Sequence, residues 1–308
     1  MNKSVLSMLL AAATLLSACG HNDTTAPANQ AYNYTYKAQT VSLAAAPQRI
    51  IPLSGSLLSM LYSVDGTAVA RPTTTGDIPA PAESLPQIGH VSNINVETLV
   101  SLQPDLVIGL ESQNQKLVSL LQANNVPYAL IDYDGIDDNV PLLQFLGDIS
   151  GHKDRAQIVI HEYEDKVREI EQKAHALPPV RVAILRATGK SVTAETPLAI
   201  TASMAERLGM QNVITAHLDG TASAKTVPYS LETLADDNPD IIFVVTMGKA
   251  DQIEARMAQE MTDNPAWFSL QAVRNERVFY LPSDLYLLNP GIHTPEAMQG
   301  LLDRAYQS

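Results

Sequence analysis

The middle of the chain carries one uninterrupted helical pattern, Lys153–Leu177 (KDRAQIVIHEYEDKVREIEQKAHAL), which contains no Gly or Pro. Its apolar residues recur at helical intervals, and they are Ile158, Val159, Tyr163, Val167 and Ile170. A helix of about 24 residues rises about 1.5 Å per residue, so it spans roughly 36 Å, the length of a whole domain. An ordinary surface helix would show the same pattern. The position at the middle of the chain favours a rigid strut between two lobes.

Short apolar runs alternate with helical patterns on both sides of this helix. The predicted strands are Arg49–Leu53, Asp105–Gly109 and Val126–Ile131 before it, and Val180–Leu185, Asp240–Thr246 and Arg277–Leu281 after it. Such alternation is typical of parallel sheets flanked by helices. We therefore predict an α/β fold of two lobes, residues 40–151 and 178–308. A single long helix over residues 152–177 bridges them, and a ligand cleft lies between the lobes.

The amino terminus has the layout of an export signal, with Lys3 before an apolar run over Val5–Leu16. The run is shorter than the roughly 20 residues that span a bilayer, although an uncleaved anchor is the alternative. Cys19 is the single cysteine, and Leu-Ser-Ala-Cys resembles the lipobox of bacterial lipoproteins. That resemblance implies removal of residues 1–18 and acylation of Cys19. Residues 19–39 are predicted to form a flexible linker.

Charge and motif content exclude several classes of protein. The formal net charge is −13, which does not suit a nucleic-acid partner or a polybasic membrane patch. The sequence has no Gly-x-Ser-x-Gly elbow, no His-Glu-x-x-His pair and no glycine-rich phosphate loop, so we predict no enzyme. The Asp132–Asp138 segment weakly resembles a calcium loop but lacks its downstream Glu, and we interpret it as a strand-to-helix turn.

Two segments of the lobes repeat one motif: Ile94–Ile108 (INVETLVSLQPDLVI) and Tyr229–Phe243 (YSLETLADDNPDIIF). Each motif places a glutamate, Glu97 or Glu232, in a first helical turn, where it complements the helix dipole. A Pro-Asp step then ends the helix and releases the chain into a buried strand.

With these motifs the sequence resembles the periplasmic-binding-protein family for iron siderophores, haem and vitamin B12, from about Gln48 to the carboxyl terminus. The resemblance implies two α/β lobes bridged by one helix, with an ABC permease and its ATPase as partners. It also implies that Glu97 and Glu232 pair with arginines of the permease, although both could simply cap helices. We expect a monomer at the cell membrane, held by its lipid and facing the periplasm or the cell exterior.

Within the family the chain is similar to haem-receptor lipoproteins of Gram-positive surface iron systems. The segments that carry this likeness are Pro72–Thr74, Ile88–Gly89, Ala194–Thr196 and Arg277–Phe279. Those receptors have a methionine and a histidine where this chain has Ser92 and Met247. The resemblance allows an inverted pair, His90 with Met247, to hold a haem iron, because imidazole and thioether both ligate haem. The alternatives are a core methionine and a surface histidine.

The ligand of such a receptor is its cargo, and no resident cofactor is predicted. Further predicted ligand contacts are Arg71, Arg186, Lys225, Tyr229 and Tyr286, with Lys190 and Lys249 as additional cations. Trp267 is predicted to lie in the core. Haem is the favoured cargo, followed by a ferric siderophore and then a corrinoid. A surface scaffold or adhesion lipoprotein that uses the same fold without transport is the alternative from another class.

Overall fold

The computed structural model describes residues 31–218 and 223–306. The predicted signal peptide, Cys19 and the first part of the predicted linker lie outside the described residues. Within the described ranges, no helix combines the length and the apolar character needed to cross a membrane.

The amino-terminal lobe is built on a three-stranded sheet in the order β3-β6-β7, with all pairs parallel. Its elements are β1 (Tyr32–Tyr36), β2 (Gln39–Leu43), β3 (Ile50–Pro52), α1 (Gly55–Ser63), β4 (Gly89–His90), β5 (Asn93–Ile94), α2 (Val96–Ser101), β6 (Leu106–Leu110), α3 (Glu111–Asn114), α4 (Val118–Ala123), β7 (Tyr128–Ile131) and α5 (Asn139–Ser150). All five residues of β6 are buried, as expected for a parallel strand covered on both faces.

The long helix α6 (Lys153–His175) belongs to both hydrophobic cores. Near its start, Val159 and Ile160 pack into the core of the amino-terminal lobe. Towards its end, Val167 and Ile170 pack into the core of the carboxyl-terminal lobe. Ile158, which we placed on the apolar stripe, is 51% exposed, because it turns away from both cores. One helix therefore ties the two lobes together through its own apolar face.

The carboxyl-terminal lobe contains a sheet in the order β11-β9-β8-β12-β13, with β10 paired to β8. Its elements are β8 (Arg181–Ala187), β9 (Val192–Glu195), α7 (Ile200–Arg207), β10 (Gln211–Asn212), β11 (Thr226–Val227), α8 (Leu231–Asp237), β12 (Ile241–Thr246), α9 (Ala250–Asp263), α10 (Pro265–Ser269), α11 (Gln271–Arg274), β13 (Val278–Leu281), α12 (Ser283–Tyr286) and α13 (Thr294–Tyr306). The three central strands β8, β12 and β13 are parallel, and β9 is antiparallel to β8. The predicted α/β fold of two lobes bridged by one long helix is confirmed.

The predicted linker, residues 19–39, extends too far along the chain. Residues 32–43 form an antiparallel hairpin of β1 and β2 instead. Tyr36 anchors the hairpin: its side chain is buried, its ring meets Phe145 edge-on, and its hydroxyl donates to the carbonyl of Asp132 at 3.1 Å. Tyrosines alternate with polar residues over β1, which is the two-residue period of a strand. This signal was present in the sequence.

Close packing of α5 against α6 leads to a test of stability. A Cβ added at Gly147 would lie 2.3 Å from the Cβ of Ala156, and neither helix backbone can easily yield. We expect Gly147→Ala to lower the free energy of unfolding by about 1–3 kcal/mol, although alanine favours a helix by about 1 kcal/mol. Chemical denaturation measures this change. Gly135→Ala is the matched control, since a Cβ there meets nothing within 4 Å; an equal loss in both variants would contradict the packing argument.

Candidate functional site

An open cleft of about 330 Å³ lies between the two lobes. One wall comes from residues within 54–59 and 72–77 together with Val91, and the other comes from residues within 283–296. The volume is at the lower end of the roughly 300–1,000 Å³ that is typical of ligand pockets. Both walls follow the carboxyl ends of parallel strands, β3 on one side and β13 on the other, which is where ligands bind in α/β sheets.

The amino-terminal wall is formed where β3 passes into α1. Ser54 caps this helix, since its hydroxyl accepts the N–H of Leu57 at 3.2 Å. Thr74 packs against the helix start so closely that a Cβ at Gly55 would lie 3.0 Å from its hydroxyl oxygen. The same hydroxyl accepts the N–H of Gly76 at 3.1 Å. The helix start, with its hydroxyl groups, therefore faces the cleft in a fixed position.

The carboxyl-terminal wall is anchored by Tyr286, which we had predicted to contact ligand. That prediction is wrong, because Tyr286 is only 2% exposed and packs in the core. Its hydroxyl donates to the carbonyl of Ala297 at 3.0 Å, and its carbonyl accepts the hydroxyl of Thr201 at 2.6 Å. These bonds fix α12, whose Asp284 lines the cleft. A Cβ at Gly76 would lie 3.2 Å from a carboxylate oxygen of Asp284, so the two walls approach each other closely.

Most of the residues that line the cleft have polar side chains, and the sequence analysis did not identify them as ligand contacts. Asp77, Asp284 and Glu296 supply carboxylates, while His293 supplies an imidazole whose Nδ1 lies 3.2 Å from Glu296 Oε2. Of the described residues that line the cleft, none is a Lys or an Arg. The one signal that pointed here was general, namely that loops after β13 lie at the carboxyl edge of the sheet.

The predicted iron ligands lie elsewhere in the described structure. His90 and Ser92 are exposed in the β4–β5 hairpin, on either side of Val91, which does line the cleft. Met247 follows β12 and is 51% exposed. None of these three is among the described residues that line the cleft. Their roles as ligands stay predictions.

Two of the predicted cations, Arg186 and Arg71, are engaged by the protein itself. Arg186 donates from Nε and Nη2 to one oxygen of Glu195, at 2.9 and 2.7 Å. Glu195 is fully buried, and burial raises the pKa of its carboxyl to about 7 even though Arg186 opposes the shift. The Arg71 guanidinium bonds backbone carbonyls, and Lys225 is exposed. Contact of these three cations with ligand stays a prediction.

Tyr229 lies at a second, more apolar groove on the carboxyl-terminal lobe, between α8 and α9. Its hydroxyl donates to Asp237, and the same carboxylate also accepts from His217 at 2.7 Å, so the ring is held away from the interlobe cleft. Trp267 also borders this groove, is 7% exposed and packs in the core as predicted. Contact between Tyr229 and a ligand in the cleft stays a prediction.

The two motif glutamates occupy equivalent positions. Asn95 caps α2 by accepting the N–H of Thr98 at 3.0 Å, and Ser230 caps α8 by accepting the N–H of Thr233 at 3.0 Å. Glu97 and Glu232 each stand two residues after their cap and are exposed.

The repeated Pro-Asp steps are equivalent in structure as well. Asp105 accepts the N–H of Arg49 at 2.8 Å, and Asp240 accepts the N–H of Arg181 at 3.0 Å. Each aspartate thereby fixes the chain at the first parallel strand of its lobe, β3 or β8. The repeated motif therefore forms the same connection, here called the Pro-Asp corner, in both lobes.

The Asp132–Asp138 segment forms the predicted strand-to-helix turn, with a 3₁₀ turn over Ile136–Asp138 leading into α5. Lys37 from the hairpin forms an ion pair with Asp138 of this segment at 2.8 Å. Within the described ranges, no group of three or more His, Cys, Asp or Glu side chains is placed to hold a metal ion.

A two-lobed α/β fold with an open interlobe cleft is typical of substrate-binding proteins. The chain belongs to the periplasmic binding protein family, which residues 50–285 match.

Individual relatives agree with this assignment. The high-affinity heme uptake system protein IsdE of Staphylococcus aureus is 24% identical over 260 residues, covering 84% of this chain and 87% of that protein. Its structure complexed with heme gives a TM-score of 0.73 and covers 84% of this chain and 99% of that one. A Listeria monocytogenes ABC transporter substrate-binding protein gives 0.75 at 19% identity, covering 86% and 100%. S. aureus SirA complexed with staphyloferrin B gives 0.70 at 18% identity, covering 89% and 97%. The similar structures therefore include one protein complexed with heme and one complexed with staphyloferrin B.

Proposed function

We propose that this protein captures an iron complex in the interlobe cleft and delivers it to an ABC permease with its ATPase. The observation that carries the proposal is the cleft itself, which is open, lined mostly by polar residues and built at the carboxyl ends of parallel strands in both lobes. Haem is the favoured cargo, because the sequence resembles haem receptors and IsdE, a heme uptake protein, is similar over 84% of the chain. A ferric siderophore is second and a corrinoid third.

The bridging helix supports a receptor that changes shape little on binding. Because α6 contributes apolar residues to both cores, the lobes can move apart only by disturbing one of them. A preformed cleft reduces the ordering that binding must impose, and this preorganisation raises affinity. We infer that the cleft closes modestly over its ligand.

The charges of the cleft define how haem would sit in it. Three carboxylates line the walls, and like charges repel at close range. The propionates of a bound haem would therefore point out of the open mouth, while the iron faces the imidazole of His293. A less acidic complex would bind without this constraint.

We further propose that Cys19 carries the lipid and that the mature protein is a monomer tethered to the membrane, facing the periplasm or the cell exterior. A lipid anchor would keep the receptor near its permease without a spanning helix. Metabolic labelling with a tagged fatty acid tests this: we expect incorporation that Cys19→Ser abolishes. Equal labelling of the Cys19→Ser variant would contradict the anchor.

Titration with haem tests the cargo. We expect the chain lacking residues 1–18 to shift the Soret band of haem at micromolar concentration, because a protein ligand changes the electronic environment of the iron. Competition with a ferric siderophore and with a corrinoid ranks the three classes. An unchanged Soret band together with tight siderophore binding would overturn the preference for haem and leave the receptor role intact.

A transport function and a scaffold function give different results in cells. Deleting the gene should lower iron uptake from the bound complex if the protein is a receptor. Unchanged uptake with an altered surface attachment would favour the scaffold alternative.

A further inference from the structure

We infer that His293 is the residue that coordinates the iron of the bound complex, and that Glu296 orients its imidazole. The inference rests on the proposed function, since it requires an iron complex with an open coordination position, of which haem is the test case. His293 was not among the residues that the sequence pointed to.

His293 has the environment of a metal-binding imidazole. Its side chain is 33% exposed and lines the cleft, while its Nδ1 lies 3.2 Å from Glu296 Oε2. A carboxylate at this distance holds the proton on Nδ1, so Nε2 keeps its lone pair. An imidazole that binds a metal commonly donates its other ring N–H to a carboxylate, which fixes the orientation of the ring.

The backbone under His293 is preorganised. Gly291 has φ of +58°, and a Cβ there would lie 3.0 Å from Met60, so only glycine fits this close contact with α1. The Gly291 N–H donates to Asn289 Oδ1 at 2.6 Å, and its carbonyl accepts the hydroxyl of buried Thr294 at 2.8 Å. Because the turn already holds the His293 imidazole in place, the side chain needs little further ordering to bind iron.

The opposite wall of the cleft offers the iron no second strong-field ligand. Of the described residues that line the cleft, His293 is the one imidazole, and none is a Met, Cys or Tyr. The facing groups are the hydroxyls of Ser54, Ser56 and Thr74 and the carboxylate of Asp77. Hydroxyl and carboxylate oxygens are weak-field iron ligands beside imidazole, so haem would be five-coordinate or would carry an oxygen atom as its sixth ligand. This predicts a high-spin ferric spectrum.

Substitution of His293 tests the assignment in the chain lacking residues 1–18. We expect His293→Ala to weaken haem binding at least about tenfold, which corresponds to about 1.4 kcal/mol. The variant should lose the high-spin signal of the imidazole complex, and added imidazole should restore it. His161→Ala is the matched control, because His161 is exposed on α6 and far from the lining of the cleft. His293→Gln can still donate a hydrogen bond to Glu296. It therefore shows whether weaker binding comes from loss of the imidazole or from a folding defect.

Glu296→Gln tests the positioning role. A neutral amide orients the imidazole less firmly, so haem affinity should fall roughly tenfold or more, and the Soret band of the bound haem should move because the imidazole becomes a weaker donor to the iron. An affinity and a Soret band equal to those of the wild type would contradict the role of Glu296.

The outcomes distinguish a failure of the His293 assignment from a failure of the proposed receptor function. If wild-type protein binds haem and both His293 variants bind it equally well with the same spectrum, the assignment of His293 is overturned and the receptor function stands. If wild-type protein binds no iron complex, the proposed function itself is overturned. A low-spin spectrum in the wild type would contradict the single-ligand geometry.

Discussion

Reversing the charge of both motif glutamates, Glu97→Lys with Glu232→Lys, is expected to abolish uptake while ligand affinity stays within about twofold of wild type. Both side chains are exposed in N-capped helix starts of the two lobes. If the permease presents arginines at these positions, each substitution converts an attraction into a repulsion, and like charges across an interface cost several kcal/mol. Uptake of labelled ligand in a deletion strain measures the first effect, and titration of the purified protein measures the second.

The matched control reverses two other exposed glutamates, with Glu83→Lys in the amino-terminal lobe and Glu162→Lys on α6. This pair changes the net charge by the same amount, so it should leave uptake close to normal. Equal uptake by the Glu97/Glu232 variant and this control would refute the docking role. Loss of ligand binding in the former would place the glutamates at the ligand instead. Each single reversal is expected to give an intermediate loss.

Removing the side chain of Asn139 is expected to destabilise the whole protein by roughly 3–5 kcal/mol. Asn139 is fully buried at the start of α5, and its amide nitrogen donates to Tyr163 on α6 at 2.9 Å and to Thr294 on α13 at 2.8 Å. Its oxygen accepts the hydroxyl of Tyr133 at 3.2 Å. Asn139→Ala leaves buried hydroxyls without partners, and this network joins both lobes to the bridging helix.

Chemical denaturation measures the loss, with Gln172→Ala as control. Gln172 is an exposed carboxamide on α6, so its removal should change stability by less than about 0.5 kcal/mol. Since Thr294 also supports the turn that carries His293, Asn139→Ala should weaken ligand binding as well. A stability equal to that of the control would contradict the structural role of the network.

The fold could be predicted because its signals are local. The long pattern of α6 has no helix breaker, and the apolar runs of β6 and β12 leave few alternatives to buried parallel strands. The alternating tyrosines of β1 were also local, and we missed them because a composition of small and polar residues resembled a linker. Ile158 was misplaced because a helical stripe is wide and its edge residues can face solvent.

The functional site was harder to predict, because no local pattern connects its parts. Polar residues such as Asp77, Asp284 and His293 follow strands or turns in the way that many surface residues do, and they become a site only when two lobes face each other. Tyr286 was predicted to meet ligand and instead fills the core, since an aromatic ring near a cleft can turn inward as easily as outward.

The long helix α6 shows both what the sequence determines and what depends on the tertiary structure. The sequence by itself determined that α6 forms, that α/β lobes flank it, and that each lobe repeats a capped glutamate and a Pro-Asp corner, because these features depend on period and on near neighbours. Only the tertiary structure decided that residues after β3 and residues after β13 share one cleft. The physical reason is that packing of α6 into both cores fixes the distance and the angle between the lobes.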